Sequence, residues 1–327
     1  MQYLLSKKAG LGFFPTPFHH LSKLSKALGG PEIYIKRDDL TGLALGGNKT
    51  RKLNYLMAKA IEEGADTVIT AGAAQSNHCR QTAAAAAQLG LECHLVLGGQ
   101  APESPQGNLL LDELFDAHIH WSGDNRKGED IPAITDKLMD QSKKVSMIPY
   151  GGSDEVGARG FVDGFIELNK QIDLNEFSTI LFASSSGGTH AGLEIGKQIT
   201  QSNIKLQGIN IDKDEDPKRS FIDVVVNLCN LVAKDFDIEV NYTKADINLS
   251  DDYIGDGYGI VGKQEQEALS LLAKLEGIIL DPVYTGRAMA GLIDMVRKGH
   301  FDKDDKVIFW HTGGAPAVFA YAKDIQC

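Results

Sequence analysis

The chain has 327 residues, with 33 Lys and Arg against 44 Asp and Glu, a formal net charge of −11. That balance argues against a general nucleic-acid binder, which needs a basic face to displace phosphate counterions. The length suits about two domains with a sizeable core, and 43% hydrophobic with 24% charged residues is ordinary for a soluble globular protein.

The opening MQYLLSKKAGLGFFPTPF lacks an apolar run long enough for a signal peptide, and no window approaches 18 uninterrupted apolar residues. IYIKRDDLTG makes a poor buried strand, because Lys36, Arg37, Asp38 and Asp39 interrupt it. Leu53, Leu56, Met57, Ala60 and Ile61 recur at helical spacing and stop at Gly64. The strand-like run Thr67–Ala71 follows, then a helix through Ala83–Ala87, strand-like Cys93–Leu97, a helix near Leu109–Phe115, strand-like His118–Trp121, a helix near Ile134–Met139 and strand-like Val145–Tyr150. The second half alternates in the same way. Strands are predicted at Ser178–Ser184, Lys205–Ile211, Gly277–Tyr284 and Val307–Gly314, with helices around Leu193–Ile199, Phe221–Val232, Glu265–Leu275 and Ala288–Val296. Strands separated by helices of this length imply parallel sheets of βαβ units, hence an α/β fold. Ligands of such folds bind where strand carboxyl ends feed helix starts. AGAAQSNH, SSSGGTHAG, DPVYTG and HTGGAP all fall there.

SSSGGTHAG, Ser184–Gly192, offers backbone N–H groups, hydroxyls and a helix dipole, which together suit a phosphate; as a plain turn it would use Thr189 as a cap. It lacks G-x-G-x-x-G spacing, so a dinucleotide site is not expected. GLALGGNKTRK misses the Walker A spacing because Asn48 stands between Gly47 and Lys49. A desolvated Lys49 beside Arg51 and Lys52 would instead be an amine nucleophile toward carbonyls, although charge pattern alone also fits a solvated basic helix start. In QSNH, Ser76, Asn77 and His78 open a helix with hydrogen-bonding side chains suited to a carboxylate or ring hydroxyl, or simply to capping. The nine histidines show no H-E-x-x-H or triad spacing, so no metal is expected, and no G-x-S-x-G elbow points to a hydrolase. The cysteines Cys79, Cys93, Cys229 and Cys327 form no framework and no C-x-x-C, so a reducing, cytoplasmic setting is expected.

Taken in order, KRDDLTGLALGGNKTRKLNYL, AGAAQSNHCRQTAAAAAQLGL, SSGGTHAG, YIGDGYGI and DPVYTGRAMAGLI resemble the fold-type-II pyridoxal-phosphate enzymes over nearly the whole chain. More narrowly, they resemble the family of D-cysteine desulfhydrases and 1-aminocyclopropane-1-carboxylate (ACC) deaminases. The resemblance implies a two-domain, tryptophan-synthase-β-like α/β fold with pyridoxal 5′-phosphate between the domains. Residues 1–49 and 158–327 would form the larger domain and residues 50–157 the smaller, inserted one. It further implies that Lys49 bonds the cofactor aldehyde and moves the Cα proton. Ser185, Ser186, Gly187, Gly188 and Thr189, with Lys52, would hold the phosphate, and Asn77 would face the ring oxygen. Ser76 would bind the substrate carboxylate, with His78 beside it, while Tyr258 and Tyr284 would act as acid/base or gating groups. ACC deaminases resemble D-P-V-Y-E-G and carry leucine before the last Gly-Gly. Thr285 and Thr312 stand at those positions here and favour the desulfhydrase side. The implied reaction is α,β-elimination of D-cysteine to pyruvate, hydrogen sulfide and ammonia, in a homodimer with a small amino acid as its partner. Alternatives are ACC deamination, elimination from cysteate or β-chloroalanine, or a nucleotide-binding protein without turnover.

Glycine is in excess, 35 residues or about 11% where about 7% is usual. Of six Gly-Gly pairs, those at Gly46, Gly187 and Gly313 are expected to give the cofactor bare backbone, and those at Gly29, Gly98 and Gly151 to be ordinary turns.

Overall fold

The structure, a computed structural model, describes residues 7–125, 127–213 and 220–325. The chain opens with β1 (Phe18–His20), α1 (Ser22–Leu28) and β2 (Glu32–Arg37), then enters α2 (Lys49–Glu62). A contiguous stretch follows: β3 (Thr67–Ala73), α3 (Asn77–Leu89), β4 (Glu92–Gly98), α4 (Gly107–Leu114), β5 (His118–Trp121), α5 (Ile131–Asp140) and β6 (Val145–Met147). The rest comprises α6 (Glu155–Gln171), β7 (Thr179–Ser184), α7 (Gly188–Thr200), β8 (Lys205–Asn210), α8 (Phe221–Asp235) and β9 (Leu249–Ser250). It ends with α9 (Lys263–Glu276), α10 (Thr285–Arg297), β10 (Lys306–His311) and α11 (Ala317–Ala320).

Two sheets result. The smaller, in order β5-β4-β3-β6, is parallel throughout. The larger runs β1-β2-β10-β7-β8-β9, with only β1 antiparallel to its neighbour. Alternation along each strand fills both faces of the larger sheet. On β10, Val307 and Phe309 face the core built by α1, α9 and α10, while Ile308 and Trp310 face Phe161 and Phe165 of α6. In the smaller sheet, Val68 and Leu95 pack against Leu53, Met57 and Ala83 of α2 and α3, while Ile69 and Val96 face Ile131 of α5. No helix among the described residues is long and apolar enough to cross a membrane. Cys79, Cys93 and Cys229 are buried free thiols, and Cys327 lies outside the described residues.

Three elements differ from the sequence expectation. The IYIKR run forms β2, paired on both sides, because its charges are matched inside the protein. Lys36, 0% exposed, donates to Glu167 Oε1 at 2.5 Å, Gln171 Oε1 at 2.5 Å and the Thr16 carbonyl at 2.8 Å. Glu167 belongs to α6, a 17-residue helix absent from the expected elements although Ala158, Phe161, Val162, Phe165 and Leu168 recur at helical spacing. Its glycines lower helix propensity yet permit close packing: a Cβ on Gly160 would lie 2.3 Å from the Arg51 carbonyl oxygen of α2. The run Gly277–Tyr284, expected as a strand, forms none: Ile278 and Leu280 are buried, but the segment joins neither sheet. Both edges of β10 are already paired, and the Ile279 carbonyl instead bonds His311 Nε2 at 3.0 Å.

Candidate active site

The carboxyl ends of β3, β7 and β10 converge with the start of α2 on one cleft. Asn48, Lys49, Ser76, Asn77, His78, Tyr150, Gly151, Ser185, Ser186, Gly187, Thr189, Tyr284 and Thr312 are among its walls. Lys49 is the first residue of α2. Its Nζ donates to the Gly151 carbonyl at 3.1 Å, and burial brings its ammonium down to about 8. An amine with that value has a substantial neutral fraction near neutral pH, as nucleophilic attack on an aldehyde requires. Lys52, one turn on, donates to the same carbonyl at 3.1 Å and to Ser153 Oγ at 2.9 Å. Burial, then the charge of Lys49, pushes its ammonium well below its ordinary value. Two lysines crowded on one carbonyl form a site that a dianion would relieve.

Opposite Lys52, α7 opens at Gly188 with no side-chain cap, after Gly187 at φ 85°. A Cβ on Gly188 would sit 2.7 Å from Ser153 Oγ and 3.0 Å from Lys52 Nζ, so only glycine lets the ammonium approach this helix start. Gly188 N–H donates to Ser153 Oγ, which pairs with Ser186 Oγ at 2.7 Å, and Asn48 Nδ2 donates to Thr189 Oγ1 at 3.1 Å. Hydroxyls, a helix N-terminus and a buried ammonium together suit a phosphate group.

Ser76 caps α3 and accepts from Cys79 N–H at 3.2 Å. Asn77 is oriented by Asn108 Nδ2, which donates to its Oδ1 at 2.9 Å. His78 Nε2 shares a hydrogen bond with Thr70 Oγ1 at 2.9 Å. Burial, then the charges of Lys49 and Lys52, hold its imidazole neutral. Tyr258 and Tyr284 share a hydroxyl hydrogen bond of 2.7 Å. Burial, then the neighbouring tyrosines, push Tyr284 well above its ordinary value, so its phenol keeps its proton. Thr312 lines the cleft, whereas Thr285 does not. The Thr285 hydroxyl donates to Asp281 Oδ1 at 2.7 Å, and Asp281 also accepts the N–H groups of Val283, Tyr284 and Thr285. Thr285 thus helps fix the turn carrying Tyr284.

One glycine expectation changes. Gly151 belongs to the site: its carbonyl takes both lysines, and a Cβ there would meet Ser186 Oγ at 2.3 Å. Tyr150 and Ser153, from the same turn, were not singled out because YGGSD reads as a plain reversal. Gly46 and Gly313 also permit close backbone packing within the chain, since Cβ atoms would lie 1.9 Å from the Asp39 carbonyl oxygen and 2.6 Å from Gly47 Cα respectively.

A family model described as "Pyridoxal-phosphate dependent enzyme" matches residues 10–313. The chain belongs to this family. The walls above fit the cofactor in that name: an amine poised for an aldehyde at Lys49, and a glycine-lined anion cradle with Lys52 at α7. A D-cysteine desulfhydrase of Klebsiella pneumoniae is 45% identical over 317 residues, 94% of each chain, and one of Salmonella newport is 44% identical over 318 residues with the same coverage. Among solved structures, an ACC deaminase homologue matches with a TM-score of 0.90 at 36% identity, covering 99% of this chain and 97% of that one. The processed form of a tomato (Solanum lycopersicum) threonine deaminase isoform shares the fold, with a TM-score of 0.69 at 19% identity over 99% of this chain and 85% of that one.

Proposed function

We propose that the protein converts D-cysteine and water to pyruvate, hydrogen sulfide and ammonia by α,β-elimination. The observation that carries this reading is a lowered Lys49 amine lining one cleft with Tyr284, whose hydroxyl bonds Tyr258, in a chain 45% identical over nearly its full length to a relative named D-cysteine desulfhydrase.

Bound in the cleft, pyridoxal phosphate supplies the electron sink that makes the substrate Cα proton acidic. Lys49 would hold the cofactor through its aldehyde, and its amine would take the substrate Cα proton. Lys52, Ser185, Ser186, Gly187, Gly188 and Thr189 would hold the phosphate, Asn77 would face the ring oxygen, and Thr312, on the cleft wall, would be a further cofactor-binding residue. Ser76 and the N–H groups it caps bind the substrate carboxylate, with neutral His78 beneath them. Tyr284, kept protonated and bonded to Tyr258, donates a proton to the departing sulfur. Thr285, through Asp281, positions Tyr284. A neutral Thr285 where ACC deaminases resemble a carboxylate, and Thr312 where they resemble leucine, support the desulfhydrase reading.

Sulfide and pyruvate are expected from D-cysteine, at higher kcat/KM than from L-cysteine, with little product from ACC. Turnover of ACC without sulfide release from D-cysteine would overturn the proposal in favour of ACC deaminase. Tyr284→Phe is expected to lower kcat by about 10²–10⁴-fold, the usual scale of a lost general acid, with cofactor affinity retained. An unchanged kcat would remove Tyr284 from proton transfer.

We further assign residues 1–49 and 158–327 to one domain and 50–157 to the other, a division supported by the two separate sheets. A homodimer would register as twice 35.4 kDa by light scattering. The buried free thiols are compatible with a cytoplasmic setting.

A further inference from the structure

On the smaller sheet, β5 is an edge strand and pairs only with β4. The parallel register sets His94 of β4 directly beside His118 of β5. Two-residue alternation puts Glu92 on the same face as His94, and His120 on the same face as His118. The result is a carboxylate and three imidazoles gathered outside the cleft. Glu92 Oε1 lies 2.8 Å from His94 Nε2 and 3.7 Å from His118 Nε2. The rings of His94 and His118 stack with centroids 4.7 Å apart. His120 Nε2 lies 2.9 Å from His94 Nδ1, so the second nitrogen of His94 is held by a neighbour. Glu92 Oε2, the oxygen turned away from the histidines, takes Lys143 Nζ.

We propose that Glu92, His94 and His118 form a binding site for a Zn²⁺-type divalent transition-metal ion that clamps the edge strand β5 to β4. The donor set is the nitrogen-and-carboxylate set such ions prefer, and two imidazoles disfavour Mg²⁺ and Ca²⁺. The three candidate ligand atoms lie within 4.8 Å of one another. Ligands about 2.0–2.1 Å from a tetrahedral ion sit about 3.3 Å apart, so from separations of up to 4.8 Å closing the site takes up to about 1.5 Å of movement. His118, 55% exposed, is free to supply it. His94 is nearly immobile at 5% exposed, and its contact with His120 is the kind of outer-shell bond that fixes a ligand ring. The ion takes Nε2 of the neutral His94 ring, whose single proton then sits on Nδ1 and is donated to His120 Nε2, so no net proton is released. Linear spacing conceals the site because strand register, not sequence distance, brings His118 to His94.

The test equilibrates untagged holoenzyme with micromolar ZnCl₂, then measures retained zinc and thermal midpoint. One zinc per chain and a raised midpoint are expected. His118→Ala, an exposed change that leaves the sheet intact, should abolish both while retaining the elimination activity. His120→Ala should weaken zinc binding about 10-fold or more, and His20→Ala, on β1, should leave it unchanged. Equal zinc retention by wild type and His118→Ala, or no retention by the folded wild type, would overturn the proposal.

Discussion

Replacing Lys49 by alanine is expected to lower turnover of D-cysteine by at least about 10³-fold and to remove the absorbance of a covalently held cofactor. Two roles are lost together, the amine that bonds the aldehyde and the base that takes the Cα proton, and the second alone is worth about 10²–10⁴-fold. The fold should survive, because alanine favours the first turn of a helix at least as well as lysine and the side chain only crosses the cleft to Gly151. Unchanged circular dichroism with lost activity and colour is the expected pattern. Turnover near the wild-type rate would refute the assignment of Lys49. Lys52 does not substitute for it, since its amine lies against the start of α7.

The second large effect concerns stability. Glu167→Ala should cost about 3–5 kcal/mol, because it leaves buried cations without their partner. Arg51 Nη1 and Nη2 donate to Glu167 at 3.0 and 2.9 Å, and its Nε and Nη2 donate to Asp38, each at 2.8 Å. Lys36 and Arg51 are both out of reach of water. Burial by itself raises the Glu167 carboxyl, but the hydrogen bonds and charge of Arg51, joined by Lys36, outweigh it and hold the group at about 2. A depressed carboxylate stabilises the fold above its unfolded value, about 4.3, and that contribution disappears as pH falls toward 2. Urea unfolding of the holoenzyme should therefore show wild type losing stability between about pH 4.3 and 2 more steeply than Glu167→Gln. A cost below about 1 kcal/mol at neutral pH, or parallel pH profiles, would contradict this account. Arg51 lies two residues beyond Lys49, so the same ion network anchors the turn that presents the reactive amine.

What the sequence revealed followed from how local each signal was. The parallel α/β class, the QSNH cap on α3 and the SSGGT turn into α7 were legible because strand, turn and helix adjoin in the chain. The β2 strand was not. Its Lys36 reads as solvent-facing until Glu167, 131 residues away, is seen beside it. Helix α6 was hidden by Gly157, Gly160 and Gly164, which lower propensity for the sake of contacts with residues far upstream. At the site, Lys49, Lys52, Asn77 and Tyr284 could be named from motifs matched to a family. The Gly151 carbonyl shared by both lysines could not, because a backbone acceptor leaves no mark in residue type.

The position of β10 also dictates an order of assembly during synthesis. Strands β3 to β6 are contiguous between Thr67 and Met147, so that sheet has all its strands well before the ribosome finishes. The larger sheet must wait, because β10, residues 306–311, lies between β2 and β7. Until then, β2 and β7 each have an unpaired edge, and the surface that Trp310 and Phe309 will cover stays open. Gly313 then seats against Gly47 and brings the Lys49 turn to its final place. From Met147 to His311, about half of the sequence, the nascent chain can have one sheet formed while the other is incomplete, an interval in which strand edges are exposed to aggregation.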